Sequence, residues 1–120
     1  MRIIVPYPPG GGTDVLGRAI GQKLSERFRE PVVIDNRGGA NGTIGAAVAA
    51  KAPPDGHTML IVAAGYASGL SLYKNLPYDQ MRDLTSVSRL ASGPLVLVVH
   101  PSLPVRTIKE LVALAKARPG

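Results

Sequence analysis

The stretch Ile3-Ile4-Val5-Pro6-Tyr7-Pro8-Pro9-Gly10-Gly11-Gly12-Thr13-Asp14 decides how the rest of the chain is interpreted. It predicts a short buried strand over residues 2–6, a rigid proline turn, a glycine-rich loop and then a helix. Thr13 is the expected N-cap of that helix, and Asp14 suits its first turn. Because the first N–H groups of a helix lack partners within it, this order of elements predicts an anion-binding loop at the end of a strand.

The bulk composition indicates a folded globular domain with no nucleic-acid partner. The chain has 120 residues, of which 45% are apolar and 18% charged, enough for one domain with a core and too apolar for disorder. The net charge of +6 favours anionic partners, but the basic residues form no run and aromatic residues make up only 4%. The absence of cysteine excludes disulfides and thiolate chemistry. No transmembrane run and no signal peptide are predicted, which leaves the compartment open.

Strands and helices alternate along the chain, which predicts an α/β fold with a parallel-type sheet flanked by helices. Val15, Leu16, Ala19, Ile20, Leu24 and Phe28 recur at helical spacing in the first helix. A capping box at Thr107 and Glu110 begins the last helix, which Pro119-Gly120 ends. The predicted strands are 2–6, 31–35, 57–63, 84–91 and 94–100, and the predicted helices are 13–29, 43–52 and 107–118, with a helical turn at 70–73.

Three glycine-rich or small-residue loops, at 8–12, 36–42 and 64–69, each follow a predicted strand. In open parallel sheets, ligands bind beyond the carboxyl ends of the strands. All three loops are therefore expected at the same edge of the sheet.

A nucleotide site is disfavoured by the residues that surround the glycines. Gly12 and Gly17 have the spacing of a phosphate loop, but Arg18 and Ala19 replace the required Lys and Ser/Thr. The dinucleotide fingerprint also fails, because Val15 occupies its last glycine position.

A hydrolase is disfavoured as well, because Ser68 is misplaced for a nucleophile elbow in Gly65-Tyr66-Ala67-Ser68-Gly69. The two histidines, His57 and His100, lie at the edges of predicted strands and are interpreted as structural or surface residues. No catalytic residue, metal site or cofactor is predicted. Ser68 is expected to hydrogen-bond a ligand or a neighbouring N–H.

A solute-binding site fits the opening stretch better, because it needs only convergent donors and a concave wall. Gly10 to Thr13 supply N–H groups, while Tyr7 and Pro8 shape an apolar side. Asp14 places a negative charge close to this anion site. It either caps a backbone N–H or meets an ammonium or hydroxyl group of the ligand.

The opening stretch from Val5 to Asp14 resembles the signature of the tripartite tricarboxylate transporter substrate-binding receptors, the Bug family. The resemblance runs in order along essentially the whole chain. It continues through Pro31-Val32-Val33-Ile34-Asp35-Asn36-Arg37, Gly42-Thr43-Ile44-Gly45, Pro54-Asp55-Gly56-His57-Thr58, Leu76-Pro77-Tyr78-Asp79, Lys109-Glu110-Leu111, Ala115-Lys116-Ala117 and Pro119-Gly120.

The resemblance implies one lobe of a periplasmic-binding-protein fold of the Venus-flytrap type, in a receptor that is not an enzyme. Such a receptor captures a small organic carboxylate (a di- or tricarboxylate, an amino acid or an aromatic acid) and delivers it to membrane transporter subunits. Carried over to this chain, the loops after the first and third strands become the ligand-binding loops. The implied ligand-binding residues are Tyr7, Pro8, Gly10, Gly11, Thr13, Asp14, Ala64, Gly65 and Ser68.

Length is the main departure from the family, whose members are roughly twice this size or more. Residues 1–100 are predicted to form the first lobe, and residues 101–120 a crossover and helix leading toward a second lobe absent from this chain. The alternative is a truncated homologue that no longer binds solute. It would act as an interaction module, self-associating through apolar surface left uncovered.

Overall fold

Three parallel strands form a sheet in the described part of the chain. The computed structural model describes residues 1–94 and 96–118. Strand β1 (Arg2–Val5) lies between β2 (Val33–Asn36) and β3 (Thr58–Leu60). Both pairings are parallel, with Ile3 opposite Ile34 and Met59. The predicted α/β class and the first three predicted strands are confirmed, with their ends displaced by a few residues.

Among residues 1–94 and 96–118, four α-helices accompany the strands. They are α1 (Gly12–Phe28), α2 (Thr43–Ala50), α3 (Gly69–Leu72) and α4 (Ile108–Ala117), with short 3-10 helices at Ala40–Gly42 and Ala64–Ser68. The capping box is confirmed, because the Thr107 side chain accepts from the Glu110 N–H while the Glu110 carboxylate accepts from the Thr107 N–H. Residues 119–120, predicted to end α4, lie outside the described residues. Within the described residues, no helix has the length and apolar character needed to cross a membrane.

The central strand β1 is the core of the sheet. Ile3, Ile4 and Val5 are fully buried. Ile3 and Val5 pack with Ile61 on the face that Leu24 of α1 covers. Because side chains alternate along a strand, Ile4 points to the opposite face, where α2 contacts β1 and β3. Helices on both faces explain why this strand is an unbroken apolar run rather than an alternating one.

Glycines bring α1 close to the sheet. A Cβ atom at Gly17 would lie 3.0 Å from Val5 Cγ2, and one at Gly21 would lie 2.9 Å from Ile34 Cδ1. The inward face of α1 therefore includes Gly17 and Gly21, while Val15 and Phe28, which share the apolar spacing, are exposed. Apolar spacing alone did not identify this face.

Helix α2 approaches the end of β1 still more closely. A Cβ atom at Gly45 would lie 2.6 Å from Pro6 Cβ and 2.8 Å from the Arg37 carbonyl oxygen. Ala46, the next residue, is fully buried. The small residues Gly45, Ala46 and Ala49 predict that this helix packs closely, and the contacts of Gly45 and the burial of Ala46 confirm it.

The strands predicted at 84–91 and 94–100 are wrong for the part of the chain that the structure describes. Residues 84–91, 94 and 96–100 adopt no strand, and residue 95 lies outside the described residues. The side chains of Val96 and Val98 are 78% and 80% exposed. A strand needs a neighbouring strand to pair its backbone groups, and the described residues after Val87 contain no other strand.

The chain divides into two compact units, Met1–Val87 and Ser88–Gly120. The first contains the sheet, and the second contains α4. The apolar spacing of Ile108, Leu111, Val112 and Ala115 predicts a buried side for α4, but this prediction is wrong. Ile108, Val112 and Ala115 are exposed, and no residue of α4 is buried. That the first lobe extends to residue 100 stays a prediction.

Gly45→Ala should destabilise the protein by about 1–3 kcal/mol, the usual cost of forcing extra volume into a packed region. The new methyl group would meet backbone atoms of Pro6 and Arg37, which cannot rotate away. Urea unfolding followed by circular dichroism measures the change. Gly65→Ala is the matched control, because a Cβ atom there has nothing within 4 Å. It should stay within about 0.5 kcal/mol of the wild type; equal destabilisation of the two variants would contradict the packing argument.

Candidate functional site

Three loops meet at the carboxyl ends of the strands, and we call them the first loop (residues 6–11), the second loop (37–42) and the third loop (61–68). The Tyr7 hydroxyl of the first loop accepts from the Ala63 N–H of the third loop at 3.2 Å. Asn41 of the second loop donates to the Gly65 carbonyl of the third loop at 3.2 Å. The structure therefore gathers the three predicted loops at one edge of the sheet.

Asp14 lies beneath the first loop as a buried carboxylate, only 2% exposed. Its Oδ2 atom accepts from the Gly10 N–H at 2.8 Å and from Arg18 Nε at 3.0 Å. Its Oδ1 atom accepts from Asn36 Nδ2 at 2.9 Å. Of the two roles considered for Asp14, the structure shows the capping of a backbone N–H. Gly10 has a φ of +85°, which glycine adopts without strain.

These donors hold Asp14 in its ionised form. The hydrogen bond from Arg18 lowers the pKa of the Asp14 carboxyl most, followed by those from the Gly10 N–H and from Asn36. Together they bring this pKa from 3.8 to about 2. The carboxylate thus carries a full negative charge at every pH near neutrality.

Helix α1 begins one residue earlier than predicted, and Thr13 is not its N-cap. The N-cap is Gly11, and no side chain caps the helix there. Thr13 lies inside the first turn, while the carboxylate of Asp14 reaches back to the Gly10 N–H. Within the described part of the chain, no acceptor contacts the N–H groups of Gly11, Gly12 and Thr13. Gly10, Gly11 and Gly12 are exposed, so this end of α1 is open to solvent.

The other predicted site residues form the two sides of this edge. Tyr7 is half-buried and Pro8 is exposed on the first loop. Ala64, Gly65 and Ser68 are exposed on the third loop. The Ser68 hydroxyl donates to the Gly65 carbonyl at 2.6 Å, so its hydrogen is engaged within the loop. Gly10, which is also a predicted binding residue, donates its N–H to Asp14 and does not present it outward.

Two residues that sequence reasoning did not select hold the first loop. Asn36, the last residue of β2, donates to the Tyr7 carbonyl at 3.2 Å as well as to Asp14. Arg18 contacts both Asp14 and the Asn36 side-chain oxygen. The spacing of Asp14 and Arg18 by four residues was the available signal for their ion pair.

The buried side chain of Tyr66 holds the third loop against the protein interior. Its hydroxyl donates to the Tyr78 hydroxyl at 2.9 Å in a buried cluster that also contains Ala46. Burial raises the pKa of the Tyr66 hydroxyl, and the bond to Tyr78 adds to that rise. Tyr66 is therefore neutral and serves as a structural support for the exposed residues around it.

Asp14 should make the folded protein sensitive to acid. Because its pKa is lower in the folded state, its stabilising contribution is complete above about pH 4 and is lost as the pH falls through about 2. Asp14→Asn should be less stable than the wild type at pH 7, and the difference should shrink toward zero near pH 2. Urea unfolding midpoints at pH 7, 4 and 2.5 measure this.

Glu26→Gln provides the control for that experiment, since Glu26 is a half-exposed carboxylate on the same helix, paired with Lys23. Solvent screening should leave its effect much smaller at every pH. If the stability of Asp14→Asn fell with pH in parallel with that of the wild type, Asp14 would not be the group responsible.

The chain is similar to curated proteins along its whole length. It is 44% identical over 122 residues to the protein BugT of Bordetella pertussis, a match that covers 100% of this chain. It is 43% identical over 117 residues to a protein encoded in the tcbD-tcbE intergenic region of a Pseudomonas strain. The chain spans 37% and 35% of the lengths of these two relatives.

Solved structures share the fold. The chain aligns over 98% of its length with MatC of Rhodopseudomonas palustris, solved with bound malate, at a TM-score of 0.85 and 30% identity. It aligns over 98% of its length with a second R. palustris protein, solved with adipate, at a TM-score of 0.71 and 33% identity. The periplasmic binding protein BugD matches 66% of the chain at a TM-score of 0.62 and 40% identity. The chain covers 40%, 40% and 26% of these structures.

The chain also matches the sequence model of a protein family. The model described as the tripartite tricarboxylate transporter family receptor matches residues 16–120. That match covers most of the chain and begins just after the first loop and Asp14. Together with the BugT relative and the periplasmic-binding-protein neighbours, it confirms the resemblance drawn from the sequence motifs. This chain belongs to the tripartite tricarboxylate transporter family of receptors, and within it to the Bug proteins.

Proposed function

We propose that this chain contains the carboxylate-binding part of a periplasmic receptor. The receptor captures a small organic acid for membrane transporter subunits. The observation that carries the proposal is the open start of α1, where the N–H groups of Gly11, Gly12 and Thr13 have no acceptor in the described residues. Unpaired N–H groups at a helix start attract anions through direct hydrogen bonds and the helix dipole. MatC and the second R. palustris protein were solved with malate and adipate, both carboxylates.

In this proposal the predicted binding residues have different roles. Gly11 and Thr13 present N–H groups to the ligand carboxylate, while Gly10 and Asp14 shape the loop from behind. Tyr7 and Pro8 border the site on one side. Ala64, Gly65 and Ser68 border it on the other side, across the hydrogen bond between Tyr7 and Ala63. The proposed ligand class is the one that the family resemblance implies: a di- or tricarboxylate, an amino acid or an aromatic acid.

The proposal includes a periplasmic location and a role without catalysis. BugD is a periplasmic binding protein, and a receptor of that kind needs binding groups rather than reactive ones. The Ser68 hydroxyl donates to a carbonyl, and the Tyr66 hydroxyl is held neutral by burial. Neither arrangement activates a nucleophile.

The second candidate function is that of a self-associating or interaction module. It is favoured by the exposed apolar side chains of residues 96–99, among which Val96 and Val98 are 78% and 80% exposed. Consecutive exposed apolar residues form the kind of surface through which proteins associate. A chain of this kind would be oligomeric and would bind no acid.

Isothermal titration with malate, adipate and citrate tests the first function, and Gly11→Val is the decisive variant. Gly11 has ordinary extended dihedral angles (φ −75°, ψ 165°), and a Cβ atom there would lie 3.7 Å from its nearest neighbour, the Pro8 carbonyl oxygen. The fold should therefore persist. The branched side chain would cover the open N–H groups, and binding should weaken by at least tenfold, about 1.4 kcal/mol.

Gly93→Val is the matched control, because it adds the same side chain at a glycine with nothing within 4 Å, in the other compact unit. Its affinity should equal that of the wild type. Wild-type protein that gives no heat with any of the three acids, and that elutes as a stable oligomer in light-scattering chromatography, would favour the second function.

A further inference from the structure

A carboxylate beneath an anion site presents an electrostatic problem. Asp14 Oδ2 lies 2.8 Å from the backbone nitrogen of Gly10, the residue next to the open N–H groups. Its charge is therefore within a few ångströms of any acid bound at the start of α1. Two negative charges at that separation repel each other, and the surrounding protein screens them less than water does. A receptor for anions needs something to offset Asp14.

Arg18 places a positive charge next to the Asp14 carboxylate. It lies one helical turn after Asp14, and its Nε atom contacts Asp14 Oδ2 at 3.0 Å. Its Nη2 atom reaches the Asn36 side-chain oxygen at 3.3 Å. The Asp14 side chain is 3% exposed and the Arg18 side chain 55% exposed, so the pair joins a buried carboxylate to a partly exposed guanidinium group.

Asn36 orients the Asp14 carboxylate of this ion pair. Its Nδ2 atom donates to Asp14 Oδ1 at 2.9 Å and to the Tyr7 carbonyl at 3.2 Å. Both Asp14 oxygens thus face donors, and the carboxylate is held toward Arg18 and the Gly10 N–H. The pair is a fixed part of the loop's support rather than a mobile surface contact.

We propose that Arg18 determines the charge preference of the site, cancelling the charge of Asp14 so that the start of α1 keeps its attraction for acids. This inference rests on the proposed carboxylate-binding function and assigns Arg18 as a positioning and specificity residue that does not touch the ligand. The carboxylate of Asp14 shapes the first loop, and Arg18 makes that carboxylate compatible with an anionic ligand. Removal of Arg18 alone leaves the buried charge uncompensated. Removal of both side-chain charges restores neutrality.

The test is a set of titrations with malate and adipate. Arg18→Gln should weaken binding of both dianions by about tenfold. Arg18→Lys, which keeps the charge, should retain affinity within about threefold. The double variant Arg18→Gln/Asp14→Asn should recover part of the loss, because no net charge then remains beneath the loop and an amide oxygen at position 14 can still accept from the Gly10 N–H. The monomethyl ester of adipate, with one charge fewer, should be affected less by Arg18→Gln than adipate is.

Lys23→Gln is the control, since it removes the same charge from the same helix at an exposed pair with Glu26. Its affinity should match that of the wild type. The inference is overturned if wild type binds but Arg18→Gln binds equally well, or if the double variant is no better than Arg18→Gln, which would indicate a purely structural loss. Wild type that binds neither acid overturns the proposed function itself, and this inference with it.

Discussion

The carboxylate of Asp14 is the constraint on which the arrangement of the loops depends. It accepts hydrogen bonds from a backbone N–H of the first loop, from the next turn of its own helix, and from the end of the neighbouring strand. One buried side chain thus joins β2, α1 and the loop between β1 and α1. With the Gly10 N–H satisfied from behind, the loop turns the next N–H groups outward without a strained non-glycine residue.

Close packing by glycine complements this polar centre. Gly17 and Gly21 let α1 approach one face of the sheet, and Gly45 lets α2 approach Pro6 at the end of β1. These contacts place the starts of both helices near the same sheet edge, where the loops follow the strands. The site therefore depends on residues that contribute no side chain at all. A methyl group at Gly45 would meet backbone atoms, whereas one at Gly17 or Gly21 would meet the side chains of Val5 and Ile34.

The sequence was sufficient for the parts of the fold that local patterns determine. The apolar run of β1, the glycine loops and the capping box of α4 are each encoded within a few adjacent residues, and each was predicted. The strands predicted at 84–91 and 94–100 could not be judged from adjacent residues alone, because a strand forms only where a neighbouring strand pairs with it. The role of Asp14 was left open for a similar reason: its partner Asn36 is distant in sequence and meets it only after β2 has paired with β1. The inward face of α1 was missed because glycine carries no hydropathic signal.

The central position of β1 has a consequence for how the chain folds. Arg2 pairs with Val33 on one side and with Thr58 on the other, while β2 and β3 do not pair with each other. Because β1 precedes both of its partners in sequence, the sheet is complete only when residue 60 is available. Pairings so distant along the chain carry a large loop-closure cost and slow the folding rate. During that interval the apolar residues of β1 stay uncovered, and uncovered apolar strands are prone to aggregation.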